Sequence, residues 1–269
     1  MDLLNYKIFL PEQETNKKHT PLFILHGLLG SMDNWRSQAK RLSQYRPVIT
    51  LDLRNHGHSP HVKGMSYREM YEDVIKVAQA EEIEHFHLLG HSMGGKVAMQ
   101  LALAHPELVK SLIVVDIAPK PYPLWHQKLF QAVMSAPIES ATSRKDIDEH
   151  LKVAIEDRAE RGFMLKNIKR NDADHVNPKG YSWLPNLKEI SRGYLKIAGF
   201  TTALEKYSKK TFFIKGEQSP YIQESDSTLI DSLFPNSELI TIKDSGHLPH
   251  IQQSDQFTKI INTSLSPVK

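Results

Sequence analysis

The chain has 269 residues, 40% hydrophobic and 24% charged, the proportions of a globular protein able to form one domain with an insertion or two small ones. A net charge of +3, with no basic run longer than Lys17-Lys18 or Lys209-Lys210, excludes a nucleic-acid footprint and leaves at most a mild bias toward anionic substrates. Cysteine is absent, which excludes disulfides, a thiolate nucleophile and cysteine-bound metal.

The opening segment MDLLNYKIFLPEQE carries Asp2 and Lys7 and breaks at Pro11. It lacks the basic start, apolar stretch and small-residue cleavage site of a secretory signal. No run approaches the roughly 18 apolar residues of a membrane helix. The expectation is a soluble cytoplasmic protein with no stable membrane insertion.

Residues 3–10 predict an N-terminal edge strand. Six short apolar runs follow, alternating with helical patterns: PLFILH (21–26), PVITLDL (47–53), HFHLLG (85–90), SLIVVDI (111–117), TFFIK (211–215) and ELITI (238–242). Such alternation predicts an α/β fold, a mostly parallel central sheet flanked by helices on both faces. Between the second and third runs Ser66 and Glu69 have capping-box spacing, and Met70, Val74, Val77 and Ala78 line one face of the helix they open. The helix after Gly90 carries Val97, Met99, Leu101 and Ala102 and stops near His105-Pro106.

The alternation fails between Pro119 and Lys209, where Pro121 and Pro123 open a long stretch of helical patterns over 124–136, 145–161 and 190–207, with a loop signal at Asn177-Pro178-Lys179-Gly180. A structureless loop of that length is implausible in a domain. The prediction is therefore a core of residues 1–118 and 209–269 with a helical cap, or lid, inserted over 119–208.

Gly90-His91-Ser92-Met93-Gly94-Gly95 matches G-x-S-x-G and sits between a buried strand and a helix, where that motif must sit. A serine on this strained turn is exposed for attack, and small residues on either side let neighbouring backbone approach. The helix N-terminus then stabilises negative charge developing beside it. Ser92 is thus the candidate nucleophile. His26-Gly27-Leu28-Leu29-Gly30 ends the first core strand. There the backbone N–H of Leu28 and that of Met93 would form the oxyanion hole, with His26 as a structural histidine.

Among fourteen histidines, position selects His247 as general base, because Asp244-Ser245-Gly246-His247 directly follows the last strand run. His250, the nearest competitor, is expected to pack against the histidine loop. The acid usually follows the strand here read as TFFIK, but the chain has Gly216-Glu217-Gln218-Ser219, with serine at the position of the expected aspartate. Asp116, ending the preceding strand, is the choice, since its carboxylate there can hold the histidine tautomer. Glu217 and Asp226 are the alternatives.

His56-Gly57-His58-Ser59-Pro60-His61 has metal-like H-x-H spacing, but no carboxylate stands among the histidines, and the segment reads as a turn after a strand. The basic residues of the insertion (Lys128, Arg144, Lys152, Arg158, Arg161, Lys166, Arg192) read as solvated helix faces, the alternative being a few that bind a substrate phosphate or carboxylate.

Together HGLLGSMDNW (26–35), DLRNHGHSP (52–60), GHSMGGKVAM (90–99), VVDIAP (114–119), GEQSPYI (216–222) and GHLPH (246–250) resemble the small bacterial esterases of the YbfF type within the α/β-hydrolase superfamily. The resemblance implies the α/β-hydrolase fold, a helical lid, and hydrolysis of acyl esters, with acyl-CoA thioesters accepted by some members. It also implies that the triad acid follows the earlier strand, at Asp116.

The expected chemistry is an acyl-enzyme on Ser92, with no metal or organic cofactor and a small-molecule ester or thioester as partner. Trp125, Phe130, Met134, Phe163, Met164, Trp183 and Leu184 are the candidates for an acyl pocket, most of them packing the lid itself. Two rivals keep the fold: a lyase of the menaquinone-pathway kind and a non-catalytic binding protein. A haloalkane dehalogenase would need aspartate in place of Ser92.

Overall fold

The computed structural model describes residues 2–156, 158–171, 180–200 and 205–266. Seven strands form the central sheet: β1 (Tyr6–Phe9), β2 (Leu22–Leu25), β3 (Val48–Leu51), β4 (Phe86–His91), β5 (Val109–Val115), and, after a two-stranded hairpin β6 (Ile168–Arg170) and β7 (Tyr181–Trp183), β8 (Thr211–Gly216) and β9 (Ser237–Ile242). Their order is β1-β3-β2-β4-β5-β8-β9. Only β1 runs antiparallel, pairing Tyr6 with Leu51 and Phe9 with Val48. Every other pair in this sheet is parallel.

Strand periodicity divides the core into two layers. Phe23, Leu25, Leu88, Leu112 and Val114 pack on one face with Met70, Val74 and Val77 of helix Tyr67–Ala80 and Val97 and Leu101 of helix Met93–Ala104. Leu22, Ile24, Leu89, Ile113 and Val115 point the other way, onto Ala39 and Leu42 of helix Arg36–Leu42 and Phe257 and Ile261 of helix Ser254–Ser264. With both faces covered, β2 to β5 read as continuous apolar runs rather than alternating ones. The capping box forms as spelled: Ser66 Oγ accepts from Glu69 N–H at 3.2 Å, and Glu69 Oε2 accepts from Ser66 N–H at 2.9 Å.

Between β5 and β8, neighbours in the sheet, the chain makes its long excursion. Its helices are Gln127–Ser135, Arg144–Lys152, Arg158–Leu165 and Leu187–Ala198. The single helix predicted over 145–161 is two. Arg161 explains the break: its guanidinium bonds Asp148 Oδ1 and the carbonyl oxygens of Ile155 and Glu156, each at 2.8 Å. It thereby satisfies carbonyls of the turn between the two helices, and buried Ile155 anchors the turn. Arg161 is buried, so it does not belong to the solvated helix faces expected of the basic residues. The last predicted helix ends at Ala198, with extended Gly199 as its cap. Residues 201–204 of that pattern and 177–179 of the predicted loop lie outside the described residues. The β6–β7 hairpin has three residues a side, too short to announce itself as alternation.

Candidate active site

Three strand tips meet at one edge of the sheet. At the first, β4 ends at His91 and the chain turns into helix Met93–Ala104 through Ser92, held at φ 52°, ψ −118°. A non-glycine residue in this region costs on the order of 1–3 kcal/mol and persists only where its surroundings enforce it. Here they do. A Cβ on Gly90 would lie 2.1 Å from the Gly94 oxygen, and one on Gly94 would lie 2.4 Å from the His26 oxygen. The elbow is tied to β5 by Ser92 N–H to the Val115 carbonyl, 3.0 Å.

At the second tip, Asp116 also has positive φ, 53°, and is fully buried. Its carboxylate accepts from Gly216 N–H at 3.1 Å through Oδ1 and from the Ser219 hydroxyl through Oδ2. The third tip carries the loop after β9, where His247 Nδ1 lies 2.7 Å from Asp116 Oδ2. Tyr221 stacks on the His247 ring, centroids 4.0 Å apart. Tyr221 is itself held by its carbonyl, which accepts from the Tyr122 hydroxyl. His91 holds the same loop from beneath: its Nε2 is 2.8 Å from the His247 carbonyl oxygen and so carries the hydrogen. Burial pushes His91 well below the usual imidazole range.

The alternatives for the acid point elsewhere. Glu217 is exposed and accepts from Asp244 N–H at 3.2 Å. Asp226 is buried against Lys120 Nζ, at 2.6 and 2.7 Å. His250 is buried flat on Trp35, centroids 4.1 Å apart, and burial pushes it down to about 3. His26 braces the loop at the end of β2: Nε2 accepts from Leu53 N–H at 2.9 Å, and Nδ1 reaches Gly27 O at 2.8 Å. Burial lowers it to about 4. His56 turns to the Arg54 carbonyl and His61 to that of Leu184, each at 2.9 Å. Asp52 organises the turn between them, accepting from Met32 and His58 N–H at 2.7 and 2.9 Å.

Ser92, Leu28 and Met93 line one cavity of about 390 Å³, open solvent at its mouth included. Met93 is the first residue of its helix, where backbone N–H groups have no intrahelical acceptor. The other wall comes from the excursion, with Trp125, His126, Tyr194 and Ile197. Of the candidates for an acyl pocket, Trp125 is there. Phe130 and Met164 are buried in the core, and Met134 is half exposed.

Several lining residues were invisible to pattern reading. Lys96, one turn into helix Met93–Ala104, is buried with Nζ 3.0 and 2.8 Å from the carbonyl oxygens of Ala198 and Gly199. Burial lowers it to about 7. His126 and Tyr194 bond each other across 68 positions. No local spacing encodes such a pair.

A mostly parallel sheet carrying a strained serine elbow, with a histidine–aspartate pair at the same end of the sheet, defines the α/β-hydrolase architecture. Residues 20–254 match the model of the alpha/beta hydrolase fold family, and the chain belongs to that family. It is 36% identical to the zebrafish (Danio rerio) sn-1-specific diacylglycerol lipase ABHD11 over 92% of this chain and 79% of that one. It is 27% identical to Escherichia coli esterase YbfF over 97% of this chain and 99% of that one. Among solved structures, a marine microorganism esterase superposes with a TM-score of 0.90 at 37% identity, over 97% and 98% of the two chains.

Proposed function

We propose that the chain is a carboxylic ester hydrolase working through an acyl-enzyme on Ser92. His247 takes the Ser92 proton as Oγ attacks the ester carbonyl, and Asp116 fixes the tautomer of His247 by accepting from its Nδ1–H. The N–H groups of Leu28 and Met93 receive the tetrahedral oxyanion. His247 then gives its proton to the leaving alcohol. Water, activated by the same histidine, adds to the acyl-enzyme and releases the acid, so one ester and one water become one acid and one alcohol. A thioester enters the same sequence with a thiol as leaving group. No step calls for a metal or organic cofactor.

The observation that carries this reading is the 2.7 Å contact between His247 Nδ1 and the buried Asp116 carboxylate, at the same end of the sheet as the positive-φ Ser92. The names of the similar proteins, esterase and diacylglycerol lipase, support ester hydrolysis. We read residues 119–208 as a cap, because its Trp125, His126 and Tyr194 wall the cavity that opens on Ser92.

The test is fluorophosphonate labelling with intact-mass analysis on wild type and Ser92→Ala, beside p-nitrophenyl esters of graded chain length. One adduct, lost in Ser92→Ala, with turnover, is the expected result. A folded wild type that neither labels nor turns over would sink the reading in favour of a binding protein.

A further inference from the structure

His126 stands on the cavity wall contributed by the excursion, immediately before helix Gln127–Ser135, and this mechanism gives it no part. Its contacts determine where its proton sits. The Tyr194 hydroxyl oxygen accepts from His126 backbone N–H at 2.9 Å and also lies 2.9 Å from His126 Nδ1. With the backbone N–H as donor, the arrangement that uses every proton has the Tyr194 O–H donating to Nδ1. The neutral ring then carries its hydrogen on Nε2. Among the described residues Nε2 has no hydrogen-bond partner. Burial, helped by repulsion from His247, pushes His126 down to about 4, so the ring is neutral near pH 7.

The polar neighbours on this wall are already committed. Lys96 Nζ bonds the Ala198 and Gly199 carbonyls, and the Tyr122 hydroxyl bonds the Tyr221 carbonyl. Leu28, Ile117 and Ile197 make much of the rest apolar. An all-carbon substrate filling this space would strip water from Nε2–H and return nothing. A substrate with an oxygen at that point would replace the water, and such sites discriminate by leaving their own polar group unpaired with the wrong substrate.

We propose that His126 is a specificity-determining residue whose Nε2–H binds a second, neutral hydrogen-bond-accepting oxygen of the substrate, close to the scissile ester. This rests on the serine-hydrolase reading of the same cavity. A neutral donor suits an ether, hydroxyl or second ester oxygen rather than a carboxylate. The oxygen can belong to the alcohol or to the acyl part, and the two sources are separable.

The experiment compares kcat/KM within two isosteric pairs: 2-methoxyethyl butanoate against n-butyl butanoate for the alcohol side, and ethyl 3-methoxypropanoate against ethyl pentanoate for the acyl side. In one pair the wild-type oxygen-to-carbon ratio should exceed that of His126→Leu by about 10-fold, one hydrogen bond's worth of selectivity. His126→Gln, which returns an N–H near the place of Nε2, should recover most of it. If His126→Leu does not fold, His126→Asn decides, since it can keep the Tyr194 contact while losing the distal N–H. Ratios equal in wild type and variants, with labelling and turnover intact, overturn the subsite alone. A wild type that cleaves none of the four esters and takes no fluorophosphonate overturns the hydrolase reading and the subsite together.

Discussion

Ser219 donates its hydroxyl to Asp116 Oδ2, the same oxygen that lies 2.7 Å from His247 Nδ1. Ser219 occupies the position after β8 where this fold usually carries its acid. The acid proposed here, Asp116, stands instead at the tip of β5, and Ser219 answers it with a hydrogen bond. With Gly216 N–H on Oδ1, Asp116 is held by three donors while fully buried, which keeps it oriented toward the histidine.

Asp116→Asn should therefore cost kcat about 10³- to 10⁴-fold, because an amide cannot hold the Nδ1–H tautomer in the same way. The Ser219 side chain already reaches the acid's place, so adding Ser219→Asp to Asp116→Asn should restore at least about 10-fold of that loss. Steady-state kinetics on one activated ester, with circular dichroism to check folding, settles this. A double variant no better than Asp116→Asn would mean that position 219 cannot present a carboxylate to His247.

In the proposed mechanism His91 positions rather than reacts. Its Nε2–H to the His247 carbonyl ties the loop of the proposed base to the residue preceding Ser92. His91→Ala should lower kcat by about 10-fold with KM little changed, the loss of one buried hydrogen bond that sets the base's alignment. A purely structural role predicts a lower melting temperature with kcat intact, so both are measured on the same preparation.

Burial keeps His26 down to about 4 and His56 and His250 down to about 3. Each is lowered from the unfolded value near 6.5, so between that pH and the folded value the unfolded chain binds more protons. Stability is therefore full above pH 6.5 and is lost as pH falls toward 4. Each histidine contributes a slope of about 1.4 kcal/mol per pH unit. Melting temperature should fall by about 10 °C or more between pH 7 and pH 5.5. A curve flat to pH 4.5 would show that these imidazoles are not held neutral.

The sheet was legible because its central strands are buried on both faces and appear as unbroken apolar runs, and β9, although partly exposed, still carries Leu239, Ile240 and Ile242 in ELITI. Ser92, Asp116 and His247 were named by their place at strand tips, and the structure brings Asp116 and His247 into direct contact. What surrounds them was not legible. Ser219 meets Asp116 across 103 positions, Lys96 meets Ala198 across 102, and the break before Arg158 depends on Arg161 reaching back to two carbonyls. Such contacts are decided by packing between elements, which hydrophobic periodicity does not record.

Lys96 offers the last test, because its geometry and its charge make separate demands. Its Nζ joins helix Met93–Ala104 to the end of helix Leu187–Ala198, satisfying two carbonyls there. A neutral amine has two N–H groups, enough for both. Burial lowers Lys96 from 10.5 to about 7, so between those values the unfolded chain binds the extra proton. Its contribution to stability is thus fullest above pH 10.5 and is lost as pH falls to 7, with a slope of about 1.4 kcal/mol per unit. Lys96→Met removes the bonds and the slope together. The stability gap between wild type and Lys96→Met, measured by urea unfolding, should therefore widen as pH rises from 7 to 9.5. A gap that stays constant would mean that Lys96 remains charged in place, its proton held by the Ala198 and Gly199 carbonyls.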